Sequence, residues 1–190
     1  MIHIVTAYTR TPEFLDRIYE SIKSLNVNYH WYIVTPNPDL DFTKYQNTTK
    51  IVKPDSMPMH TGVNYYYDVI PDTGQWVYIL DDDNLIHPNF PIVNNYIHSL
   101  NCDMVVLGQQ LDSTNTRYIF NPEGINIQKI DNGQFLLRRT AVGKLRYWPI
   151  YRGDGYFATE MRIVTIENGR EVMILPIIAS YYNAQHWLKS

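Results

Sequence analysis

Short apolar runs alternate along the first 110 residues with stretches whose apolar positions recur every three or four residues. Ile2 to Thr6 reads as a buried strand. Thr11 offers a capping hydroxyl and Pro12 a first helical residue with no N–H to lose. Phe14, Leu15, Ile18, Ile22 and Leu25 follow at helical spacing, which predicts an amphipathic helix lying on a sheet. Trp31 to Val34 and Lys50 to Val52 are the next strands, each stopped by proline. A short helix is expected over Val63 to Val69, and a turn over Pro71 to Gly74. Trp76 to Leu80 is the most strand-like run in the chain. Asn89 before Phe90-Pro91 opens a further helix ending near Leu100, and Met104 to Leu107 returns as a strand.

Beyond residue 110 the pattern changes. Arg117 to Phe120, Gln134 to Leu137 and Glu171 to Leu175 read as strands, with helices near Thr140 to Leu145 and Gly155 to Ile166. Strand–helix alternation in the front half predicts an α/β fold with a mostly parallel sheet flanked by helices, and the back half a mixed part. The expected organisation is one domain over 1–190, with a ligand-binding front of about 1–110 and a second part of about 111–190.

Composition changes this picture only in places. Hydrophobic residues at 45% and charged residues at 18% describe a globular chain. The net charge of -3 gives no broad basic surface, so nucleic acid is not an expected partner. Any phosphorylated ligand must be neutralised locally. Cys102 is the only cysteine and has no internal disulfide partner. No run approaches the roughly 20 apolar residues of a membrane span, and the N-terminal run is too short for a signal peptide, so a cytoplasmic location is expected.

The chemistry concentrates at Asp81-Asp82-Asp83, which follows the Trp76 to Leu80 strand directly. Ligands of open α/β sheets gather beyond the carboxyl ends of strands. Three adjacent carboxylates there repel one another unless they share a cation, and all-oxygen ligands suit Mg²⁺ or Mn²⁺. On extended backbone Asp81 and Asp83 would face one way and Asp82 the other. A bland alternative is an acidic turn.

An apolar strand leading into Asp-x-Asp resembles the GT-A-fold, Rossmann-like glycosyltransferases, and other segments agree in order. Ile4 to Arg10 and the helix after it resemble their opening strand and nucleotide loop. Val77 to Asn84 is similar to a segment of the β-1,3-glucuronosyltransferases, and Ile130 to Phe135 to their acceptor-side segment. Gln185-His186-Trp187 resembles a C-terminal histidine that completes a metal shell. The resemblance implies a nucleotide-sugar donor, a UDP-sugar, and a glycan or other hydroxyl acceptor. By it, Asp83 and Asp81 would hold the metal with His186. Thr6, Ala7, Tyr8 and Arg10 would surround base and ribose, with Asp81 and Asp82 on the donor side. Gly62 and Asn64 would approach the donor sugar. Asp131 and Gly133 would meet the acceptor, Asp131 alternatively capping a turn. One departure is that Thr35-Pro36-Asn37, not an acidic residue, follows the second strand, which leaves the nucleotide base open.

An inverting transfer needs a carboxylate to take the acceptor's proton. Asp154, in Arg152-Gly153-Asp154-Gly155-Tyr156-Phe157, is the candidate, its glycines letting backbone approach a ligand and Tyr156 offering a sugar platform. The alternative is a helix cap, and Glu160 is the fallback base. A retaining transferase and a non-catalytic sugar- or nucleotide-binding domain are the other readings. A sugar nucleotidyltransferase is set aside because Ile4 to Pro12 contains no glycine to cradle a triphosphate.

Overall fold

The computed structural model describes residues 1–8, 12–54, 62–98 and 101–184. Its strands are β1 (Ile2–Ala7), β2 (Tyr29–Thr35), β3 (Thr48–Val52), β4 (Trp76–Ile79), β5 (Leu85–Ile86), β6 (Cys102–Gln110), β7 (Thr116–Arg117), β8 (Phe135–Arg138) and β9 (Glu171–Tyr181). The helices are α1 (Pro12–Lys23), α2 (Gly62–Val69), α3 (Phe90–Ile97), α4 (Arg139–Val142) and α5 (Gly153–Glu167). One sheet runs in the order β3-β2-β1-β4-β8-β6-β9-β5, with β7 paired to β6. β3, β2, β1 and β4 are mutually parallel. β8 is antiparallel to both β4 and β6, and β9 is parallel to β6. The expected α/β class therefore holds, with the antiparallel pairings made by β7 and β8 of the back half and by the short β5.

Period-two alternation decides which layer each side chain joins. Trp76, Tyr78 and Leu80 enter the core beneath α1 and α3, with Leu15, Ile18, Phe90 and Val93. Val77 and Ile79 enter the opposite core, with Val63 and Tyr66 of α2 and Phe157 and Met161 of α5. Both faces of the central strands are buried, which is why β1 and β4 read as continuous apolar runs. In α1, Leu15, Ile18, Tyr19 and Ile22 form the buried stripe, while Glu13 and Lys23 sit at the ends that suit their charges.

Several boundaries differ from expectation. β9 runs six residues past Leu175, because a register shift between Val106 and Gly108 absorbs Pro176. Proline lacks a ladder donor, and a bulge is where a sheet tolerates it. β5 was not anticipated, since two residues carry no period. The expected strand over Arg117 to Phe120 reduces to Thr116–Arg117. Asn89 precedes α3 without a side-chain cap. The Thr11 cap lies outside the described residues. No described helix is long and apolar enough to cross a membrane.

Candidate functional site

Strand β4 ends at Ile79, and the chain then folds back, the Asn84 N–H donating to the Asp81 carbonyl at 3.0 Å. The aspartates therefore sit on a turn and not on extended backbone. Asp81 continues the row of Val77 and Ile79 toward α2 and α5, while Asp82 is buried beside Tyr8, whose hydroxyl is pushed up to about 12 by burial and then by Asp82. Asn84 is fully buried and accepts the Asn183 N–H at 2.8 Å, tying the turn to the end of the described chain.

Asp81 opens onto a cavity of about 330 Å³. Ala7, Val63, Asn132 and Tyr147 line it together with Asp154, and the exposed Tyr151 and Arg152 form its mouth. It lies at the carboxyl ends of β1 and β4, where the topology directs ligands. Asn132 Nδ2 donates to Asp81 Oδ1 at 2.9 Å, and Tyr147 Oη donates to Asn132 Oδ1 at 2.9 Å. Burial holds the Asp81 carboxyl well above the usual carboxylate range, and the nearby Asp131, Asp83 and Asp154 add to it. Such crowding favours a bound cation or a shared proton.

Asp154 stands in the first turn of α5, one helical position past Gly153, with Arg152 as the N-cap. It is therefore not the cap that the alternative reading required. Burial first, then Asp131, pushes its carboxyl up to about 6, against the pull of the Gly155 and Asp154 N–H groups and of Arg117. The flanking glycines are required by the fold itself. A Cβ on Gly153 would stand 2.4 Å from the Trp148 carbonyl oxygen, and one on Gly155 2.5 Å from that of Ile127. They admit the protein's own backbone, and Gly153 also lines the cavity.

The other anticipated residues divide between cavity and scaffold. Ala7 lines the cavity, and Gly62 packs on it, a Cβ there lying 3.0 Å from that of Ala7. Thr6 is buried, its hydroxyl accepting Trp31 Nε1 at 3.1 Å. Asn64 is committed to the backbone of Tyr147, through Nδ2 to the carbonyl at 2.9 Å and Oδ1 from the N–H at 2.7 Å. Asp131 caps the short 3-10 turn Asn132–Gln134, takes Gln109 Nε2 at 3.1 Å and lies 3.8 Å from Arg117. Gly133 is buried, with its carbonyl accepting from Tyr78 Oη and Ser180 Oγ. Tyr156 is exposed beside Trp148, ring centroids 6.2 Å apart. Glu160 is engaged by Trp148 Nε1 at 3.1 Å. Asp83 lies near enough to raise both Asp81 and Tyr182. Arg10 and His186 lie outside the described residues.

Sequence reasoning missed Asn132, Tyr147 and the Tyr151-Arg152 pair. Asn132 had a legible signal, because Asp131-Asn132-Gly133 is turn chemistry that presents its middle side chain. Among the described residues no three His, Cys, Asp or Glu side chains converge closely enough to hold a metal ion by themselves.

The sequence matches no protein-family model and no curated protein. A solved protein described as a glucose-1-phosphate thymidylyltransferase from Bacillus anthracis, in complex with sucrose, is similar with a TM-score of 0.53 at 10% identity, over 94% of this chain and 88% of its own. The bifunctional IspDF from Campylobacter jejuni is similar with a TM-score of 0.52 at 9% identity, over 92% of this chain and 49% of IspDF. A glycine-free β1–α1 segment had set nucleotidyltransferases aside on sequence. The fold does not separate them. What the chain shares with these proteins is a Rossmann-like α/β architecture built on one largely parallel sheet.

Proposed function

We propose that the protein is a metal-dependent glycosyltransferase that moves a sugar from a nucleotide diphosphate donor, a UDP-sugar, to an acceptor hydroxyl with inversion, Asp154 serving as the base. One observation carries this reading. Asp81, at the carboxyl end of the central strand, and Asp154, at the start of α5, line the same cavity. A carboxyl pushed up to about 6 is ionised at neutral pH yet basic enough to take a hydroxyl proton. The acceptor oxygen gives its proton to Asp154 and attacks the anomeric carbon. The bond from that carbon to the phosphate oxygen breaks, and its electron pair leaves with the diphosphate. Asn132 keeps Asp81 oriented throughout.

Asp81 and Asp83 offer oxygen donors only, which fits a hard cation in kind. Two carboxylates do not enclose an ion, so Mg²⁺ or Mn²⁺ would be held jointly with diphosphate oxygens, and when bound it would neutralise charge on the leaving group. His186 is the proposed additional ligand. Thr6, Tyr8, Asp82, Gly62 and Asn64 act on the donor side as scaffold around Ala7, and Asp131 and Gly133 shape the acceptor side beneath Asn132.

A second reading, nucleotidyl transfer to a sugar phosphate, is favoured by the fold shared with the thymidylyltransferase. Incubation with UDP-sugars and an acceptor alcohol, following UDP release, tests the first reading. Parallel incubation with nucleoside triphosphates and sugar 1-phosphates, following pyrophosphate, tests the second. UDP release that requires metal supports glycosyl transfer; pyrophosphate alone transfers the site to the second reading.

A further inference from the structure

The charged side chains that line the cavity are not all carboxylates. Asp81 and Asp154 stand inside, and Arg152 stands at the mouth, the single cation among the described lining residues. Its guanidinium lies 5.1 Å from the centroid of the Tyr151 ring, a ring left 85% exposed. Ile150, also lining the cavity, and Trp148 beside it are exposed as well. Arg152 has φ +65°, left-handed backbone that a residue with a side chain enters only at a cost. Glycine would occupy that position without strain, so the side chain there answers to something other than the fold. An arginine backed by an aromatic face is pre-organised, its planar fork free to take two oxygens of one anion. Carboxylates on the inner wall repel an anion that brings no cation with it and leave the mouth as the place for such a group.

From this we infer that Tyr151 and Arg152 form an anion-binding arm, which holds a carboxylate or phosphate group of a bound saccharide while a neutral hydroxyl reaches Asp154. The inference rests on the glycosyltransferase reading. It deepens that reading by naming an acidic saccharide as the substrate class. The same chemistry could instead be met by the diphosphate of the donor, and the test separates the two sources.

Wild type, Arg152→Gly and Arg152→Lys are titrated by calorimetry or saturation-transfer NMR with a β-1,4-linked oligoglucuronate and with the cello-oligosaccharide of equal length. The two differ by carboxylate for hydroxymethyl. Each protein is also titrated with UDP and Mn²⁺ and melted thermally. The expected result is at least fivefold tighter binding of the oligoglucuronate by wild type, a preference that Arg152→Gly abolishes and Arg152→Lys partly keeps. UDP affinity should stay within twofold, and Arg152→Gly should melt no lower than wild type. Loss of UDP affinity in Arg152→Gly without an effect on the saccharides would keep the arm and assign it to the donor. Equal binding of both saccharides by wild type and Arg152→Gly, with UDP affinity also unchanged, overturns the arm. Failure of wild type to bind UDP or any other nucleoside diphosphate with Mn²⁺ sinks the glycosyltransferase reading, and the saccharide preference then still decides the arm by itself.

Discussion

The Asn132 side-chain amide donates to Oδ1 of Asp81 at 2.9 Å and thereby fixes the carboxylate that the central strand delivers to the cavity. Tyr147 Oη holds the same asparagine from its other side at 2.9 Å. The arrangement is a relay of position: a ring stacked 4.0 Å from Phe157 orients an amide, which orients a carboxylate. Outer partners of metal-binding carboxylates typically matter about 10–100-fold in metal affinity. Asn132→Ala should weaken Mn²⁺-dependent UDP binding roughly tenfold, measured by calorimetry, and Tyr147→Phe should do so by less. Affinities within twofold of wild type would leave Asn132 as a turn residue only.

Asp154→Asn should cut turnover by about 10²–10⁴-fold with donor affinity unchanged. In wild type the rate should rise with pH through about 6, because below that value the carboxyl already holds its proton and is too weak a base to take the acceptor's. A flat profile between pH 5 and 7 contradicts a base role.

The same residue makes a prediction about stability with the opposite emphasis. A carboxyl raised in the fold contributes fully below its ordinary value of 3.8, and the contribution is lost as pH rises through about 6. At neutral pH Asp154 thus weakens the fold, and Asp154→Asn should stabilise it by on the order of 1 kcal/mol while removing activity. Urea melts at pH 7 measure this directly, and a destabilised variant would place the cost of the site elsewhere.

His3 is buried in the sheet with Nδ1 2.7 Å from Tyr66 Oη, and burial followed by His30 lowers its pKa from 6.5 to about 4. The unfolded chain binds the proton first as pH falls, so the contribution of His3 is full above 6.5 and is lost progressively down to about 4. Urea melts between pH 7 and 4.5 should show a loss that His3→Gln reduces by on the order of 1–2 kcal/mol. An identical pH slope in the variant would remove His3 from the account.

Gly155→Ala places a methyl group against the Ile127 backbone, 2.5 Å from its carbonyl oxygen, where neither partner is a flexible side chain. A loss of about 1–3 kcal/mol is expected. Gly74→Ala, with open space around it but φ +75°, should lose about 1 kcal/mol through backbone strain alone.

Much of the central sheet was legible because its strands are buried on both faces and leave unbroken apolar runs. Trp76 to Ile79 needs no partner to be recognised, and the aspartates after it mark the end of a strand wherever that strand lies in the sheet. The order of strands was not legible. That Asn132, fifty-one residues from Asp81 along the chain, would reach it depends on β8 lying between β4 and β6. Pro176 concealed half of β9, since a bulge leaves no local mark other than the proline that requires it. The glycines around Asp154 were read as serving a ligand. Only the packing of α5 on Trp148 and Ile127 reveals that the fold itself needs them.

The claim that the cavity between Asp81 and Asp154 takes a metal-bound nucleotide diphosphate is tested most directly by thermal denaturation with UDP and other nucleoside diphosphates, each with and without Mn²⁺, in wild type and Asp83→Ala. A ligand at about 100 times its dissociation constant stabilises a fold by roughly 2.7 kcal/mol, a readily measured shift. The account predicts a shift with UDP that requires Mn²⁺ and disappears in Asp83→Ala. No shift with any nucleoside diphosphate, or one of equal size in Asp83→Ala, would contradict it.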